Sequence, residues 1–108
     1  MSLRIRTRYS VNEAADRITR AICEGSFSGE LIDRDDRQSS DGAQVCTLMF
    51  DKYFMRAGNH AALSVTLDSL SGDTHVFAVC AGTKQGLFTL FDWGTGDSFE
   101  EEVRRALE

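Results

Sequence analysis

The amino-acid sequence predicts an α+β fold, an antiparallel sheet with two helices packed on one face in the order β-α-(β)-β-β-β-β-α. Three observations predict it. Residues 10–22 carry a capping box followed by a single apolar stripe at helical spacing. From Ala43 to Trp93, apolar–polar alternations are separated by glycine-bearing turns, the pattern of an antiparallel meander. A second, shorter stripe closes the chain. With 108 residues, 42% of them apolar, the chain forms one domain, 1–108, and buries enough surface to fold without staples.

The elements follow in order. Leu3, Ile5, Thr7 and Tyr9 alternate with Arg4, Arg6 and Arg8, a period of two that signals a strand with one wet face. Ser10 with Glu13 three positions on is a capping box, which satisfies orphan donors at a helix start. Val11, Ala14, Ala15, Ile18, Ala21 and Ile22 form the stripe behind it, and Gly25 suits the left-handed position that ends a helix. A short strand is expected near 28–33, around Leu31 and Ile32. The run Arg34 to Gly42 reads as a solvated loop because it is almost all Asp, Arg, Gln and Ser. Strands are then expected at about 43–56, 61–68, 74–81 and 87–93, with turns at Gly58-Asn59, Ser69–Asp73 and Gly82–Gly86. Asp97 or Ser98 caps a final helix whose stripe is Phe99, Val103, Ala106 and Leu107. Arg104 and Arg105 fall where its dipole favours cations.

Turn positions set the expected register. A two-residue turn at Gly58-Asn59 pairs Phe54 with Leu63 and Phe50 with Leu67. A turn centred on Ser71 pairs Leu63 with Val79 and Val65 with Phe77. Leu63, Val65 and Leu67 then share the helix-facing side with Phe50, Phe54, Phe77 and Val79. The other side carries Met49, Asp51, Tyr53, Ala62, Ser64, Thr66, Val76, Ala78 and Cys80, and Phe88 and Leu90 point that way from the last strand. That back is more apolar than a solvated face needs, and such patches mark interfaces.

Composition and motifs exclude more than they assign. The net charge of −5 argues against nucleic acid or an anionic membrane as partner. No apolar run is long enough to span a bilayer, and the amino terminus lacks the apolar core of a signal peptide. Cys23, Cys46 and Cys80 are widely spaced and odd in number, which reads as reduced thiols in a cytoplasmic protein. His60 and His75 fall at opposite ends of one hairpin, too far apart to share a metal. Asp33-x-Asp35-x-Arg37 fails as a calcium loop because a cation stands at the third ligand position. Gly94-x-Gly96 lacks the third glycine of a dinucleotide loop and is crowded by Asp97, Glu100, Glu101 and Glu102. Gly82 to Gly86 has neither P-loop spacing nor a Lys-Ser/Thr pair. The Arg4, Arg6, Arg8 stripe reads as a solvated face that discourages edge pairing rather than as an anion site. No metal, cofactor or catalytic set is expected.

The segments Ser10 to Ile18, Gly25 to Gly29, Asp51 to Met55 with Gly58-Asn59, and Ser98 to Val103 resemble a set of small bacterial proteins forming a domain of unknown function. The resemblance implies a cytosolic single domain and carries over no catalytic residue. The order of elements is also similar to TBP-like and helix-grip folds, in which a curved sheet embraces helices. The expected function is a non-enzymatic interaction module, a homodimer joined through the helix-free face at Met49, Tyr53, Ala62, Val76, Ala78, Phe88 and Leu90. The alternative is a small apolar-ligand binder with a pocket between sheet and helices, lined by Phe50, Phe54, Phe77, Phe91 and Trp93. An enzymatic site built from Asp51, Tyr53, His75 and Asp92 is the least favoured reading, because few polar groups converge.

Overall fold

A computed structural model describes residues 2–24, 29–54, 59–82 and 99–108. Strand β1 spans Ser2–Thr7 and helix α1 spans Val11–Glu24. Strands β2 (Glu30–Gln38), β3 (Gln44–Phe54), β4 (Asn59–Asp68) and β5 (Thr74–Gly82) follow, and helix α2 spans Phe99–Ala106. The five strands form one antiparallel sheet in the order β1-β5-β4-β3-β2.

Helix α1 begins as the capping box demands: the Glu13 N–H donates to Ser10 Oγ at 3.1 Å, and the Ala14 N–H to the Ser10 carbonyl at 2.8 Å. The Glu13 carboxylate turns along the helix to Arg17, 3.3 Å away. Val11, Ala14, Ala15, Ile18 and Ile22 are buried against the sheet, the stripe expected from their spacing. At the far end Gly29 returns its N–H to the Ile22 carbonyl at 2.9 Å. A Cβ there would lie 2.8 Å from Ile22 Cγ2, so only glycine lets the chain pass this close before β2. Gly25 and the proposed caps Asp97 and Ser98 lie outside the described residues.

Helix α2 packs beside α1 and over β5 and β1. Val103 is fully buried in the shared core, with Ala106 and Leu107 partly so. The Tyr9 hydroxyl donates to the Glu108 carbonyl at 3.2 Å and ties this end of the chain to the β1–α1 connection. The Arg17 guanidinium lies over the Tyr9 ring at 4.0 Å.

Three expectations are corrected. Arg34–Gln38, read as loop, is the second half of β2, paired with β3 from Arg34↔Leu48 to Gln38↔Gln44. An edge strand paired through its backbone does not need an apolar face, so charges on both sides hid its period. Along Thr74–Val79 the outer edge of β5 is taken by β1, where the meander reading had placed a fourth strand. That strand, expected at 87–93, lies outside the described residues.

The third correction is register. Phe50 pairs with Leu63, where Phe54 was expected; an even shift, it leaves every side chain on its predicted face. Phe54 pairs instead with Asn59, so the connection is longer than the two-residue turn assumed. Between β4 and β5 the shift is one residue: Leu63 pairs with Cys80, where Val79 was expected. This slip reverses β5. Val76, Ala78 and Cys80 face the helices, while His75, Phe77 and Val79 face away. The turn explains it. The Gly72 N–H donates to the Ser69 carbonyl at 3.1 Å with Gly72 at φ 100, so the glycine adds a residue after the turn and moves the pairing centre off Ser71.

Candidate functional site

The helix-free face of the sheet can be read off in cross-strand rows, because directly paired residues point to the same side. One row runs Arg4, Phe77, Thr66, Thr47, Asp35 from β1 to β2. The next runs Val79, Ser64, Met49, Asp33, and on the other flank lies Arg6, His75, Asp68, Val45, Arg37. A fourth row holds Ala62, Asp51 and Glu30.

The interior of this face carries two acids, Asp51 on β3 and Asp68 on β4, among uncharged residues. Val45, Thr47, Ala62, Ser64, Thr66, Phe77 and Val79 are all partly exposed, and Met49 is 37% exposed. The two edges differ in charge: β1 presents Arg4 and Arg6, whereas β2 presents Glu30, Asp33 and Asp35 with one cation, Arg37. The Arg4 guanidinium leans inward over the Phe77 ring, 4.6 Å from its centroid. At the other end of the same row Asp35 accepts from Arg37 Nε at 2.9 Å.

The expected interface set is partly rearranged. Met49 and Ala62 are on the helix-free face as predicted. Val76 and Ala78 are not: both are fully buried on the helix side, and Phe77 and Val79 take their places. Tyr53, Phe88 and Leu90 fall outside the residues whose side chains are described. The alternative pocket loses its premise in the same way. Phe50 is buried in the core, but Phe77 is on the opposite side of the sheet, so the two cannot line one cavity. Phe54, Phe91 and Trp93 lie outside the described side chains.

Polar chemistry gathers at one other place, the seam between α1 and β2. Arg34 Nε and Nη2 donate to the two oxygens of Asp36 at 2.9 and 3.3 Å, and Nη1 donates to Asp16 on α1 at 3.0 Å. These hydrogen bonds raise the guanidinium pKa and hold the Asp36 carboxyl below its usual range. Beneath them burial, and then the hydrogen bond to Asp36, push the Cys46 thiol up to about 11, which leaves it a protonated core residue. A groove of about 520 Å³ borders this cluster and includes Val11, Asn12, Gln38 and Gln44. One guanidinium here serves two carboxylates, leaving neither a base nor a nucleophile: the arrangement clasps helix to strand. His75 sits beside Asp68 while His60 pairs with Tyr53 at the other end of β4, which keeps the histidines far apart. Among the described residues, no three His, Cys, Asp or Glu side chains converge as metal ligands.

Sequence reasoning missed β2 as the acidic edge of this face. The signal was present in Asp33-x-Asp35-x-Arg37, a period-two spacing set aside because it failed as a cation loop.

Among the described residues, fold and surface thus define a small α+β arrangement in which both helices cover one face of the sheet. The chain belongs to a family of unknown function (DUF6054), whose model matches residues 2–108. No curated protein and no solved structure matches the chain. Among the described residues no helix is long and apolar enough to cross a membrane.

Proposed function

We propose that the protein is a non-enzymatic interaction module that self-associates, two copies meeting through the helix-free sheet face. The observation that carries this reading is the distribution of side chains there: Val45, Met49, Ala62, Phe77 and Val79 are partly exposed in the interior beside Asp51 and Asp68, with Arg4 and Arg6 at one edge and Asp33 and Asp35 at the other. An isologous dimer needs one patch to be its own complement, and a patch basic at one side and acidic at the other meets that need. Size is adequate as well. Five strands and four rows cover roughly 24 by 27 Å at ordinary sheet spacings, about 600 Å² per protomer, near the lower bound of specific interfaces. Three cysteines outside any disulfide, two of them buried, fit a cytoplasmic setting.

Sedimentation over a concentration series tests the reading. The expected mass is near twice 12.0 kDa. Thr66→Glu, which places a carboxylate at the centre of the face, returns the protein to a folded monomer. A 12.0 kDa species at every concentration overturns the proposal.

A further inference from the structure

We infer that Arg4 is a movable cover on the helix-free face, a contact the chain makes with itself and must release before a second copy can reach Phe77; this rests on the self-association proposed above. Phe77 is the largest apolar side chain that the described residues place on that side of the sheet. It pairs directly with Arg4 of β1, and the Arg4 guanidinium lies over its ring, 4.6 Å from the centroid. The next residue on the same side of β1 is Arg6, so the guanidinium rests on a ring rather than on a carboxylate. A guanidinium held this way meets the negative face of the π-system and shields it from water.

The contact opposes association. A second copy can touch that face of the ring only if the guanidinium leaves it or is buried with it. Leaving forfeits the cation–π attraction, and staying takes a charge out of water. A two-fold dimer meets this cost twice, once in each copy, whichever way the copies are turned. Arg4 is exposed, on the last strand of the described sheet, and surface side chains change rotamer far faster than proteins associate. The cover therefore lowers affinity without adding a slow step. Met49, paired across the strands with Asp33 and Ser64, stays 37% exposed on the same face and remains open to contact.

Sedimentation of the full chain and its variants over a concentration series tests this. Arg4→Thr removes the cover and leaves a side chain suited to an exposed strand. It is expected to tighten the dimer about tenfold, the effect of one lost contact in each copy. Charge alone predicts the reverse, because the variant deepens the net charge of −5 and with it the repulsion between copies. Phe77→Leu keeps an apolar side chain and takes away the ring. In that background Arg4→Thr is expected to change the dissociation constant by no more than about twofold. An Arg4→Thr dimer no tighter than the wild type overturns the cover and leaves self-association standing. A gain undiminished by Phe77→Leu overturns the cover as well, since the ring would then play no part in it. A wild-type chain that stays monomeric beside a dimeric Arg4→Thr variant upholds the cover and overturns self-association of the native protein. Both proteins monomeric at every concentration overturn both.

Discussion

Val76 and Phe77 are neighbours in β5 and live in different solvents. Val76 is fully buried between Ile5 and Leu67, whereas Phe77 lies partly exposed between Arg4 and Thr66. The same contrast holds along β1, β3, β4 and β5. The helix side carries Leu3, Leu48, Phe50, Leu63, Val65 and Leu67, all buried; the other side mixes small, polar and singly apolar residues with charged ones. The difference teaches what packing demands of each face: burial against two helices tolerates almost no polar atom, while the other face accepts polar and charged side chains between its few apolar ones.

The largest break in that comparison comes from putting one charge on each side in turn. Ala78→Glu buries a carboxylate between Leu3 and Val65, with the cation of that row, Arg34, three strands away on β2 and already bonded to Asp36 and Asp16. A loss of about 4 kcal/mol or more is expected, enough to leave the protein unfolded or aggregated. Val79→Glu, one residue on and facing outward, costs the protomer about 1 kcal/mol or less. Urea unfolding of the two variants at one low protein concentration reads the difference. Equal destabilisation would mean that the one-residue register shift between β4 and β5 is wrong.

How much of this was legible beforehand depends on the physics of each element. Helix α1 was readable because its stripe and cap are local: Val11, Ala14, Ala15, Ile18 and Ile22 lie where a 3.6-residue period puts them, and Ser10 caps the donors nearest to it. The parity of β3 and β4 was readable too, because Leu63, Val65 and Leu67 can only be buried together. β5 was not. Val76, Phe77, Ala78, Val79 and Cys80 form an unbroken apolar run, so alternation is silent and the turn alone decides which members go inside. β2 was hidden for the opposite reason, since charges on both faces leave nothing apolar to count. Because the helix-free face draws on both of these strands, the places of Phe77 and Val79 and the acidic residues of β2 were not legible.

The turn that decided β5 offers the next test. Gly72 holds φ 100, where an L side chain is strained, and a Cβ there would meet nothing within 4 Å. Gly72→Ala is therefore a backbone effect alone, expected to lower stability by about 1 kcal/mol. Gly42, at φ 96 in the β2–β3 turn, makes the same 3.1 Å bond to Ser39 that Gly72 makes to Ser69. Gly42→Ala should cost a similar amount. A much larger loss at Gly72 would indicate that this turn guards the register while the β2 edge tolerates slippage, a distinction that thermal unfolding of the two variants resolves.

The smallest expected effect separates the clasp of the covered face from the charges of the uncovered one. Asp36 is held in its ionised form mainly by hydrogen bonds from Arg34, so its pKa in the folded chain lies below the unfolded value. A depressed carboxylate contributes stability above the unfolded pKa and loses that contribution as pH falls through the folded one. The pair is partly in water, with the Asp36 side chain 53% exposed, so solvent screening holds the worth of the contact to about 1 kcal/mol or less. Asp36→Asn should lower stability by that amount at pH 7 and by progressively less below about pH 4. Asp35→Asn, whose partner Arg37 is 79% exposed, should change protomer stability hardly at all at either pH. Urea titrations of both variants at the two pH values compare a carboxylate that holds Arg34 for its bond to Asp16 on α1 with one on the opposite face of the same strand. Equal losses at pH 7 would place Asp35 in the protomer's own scaffold.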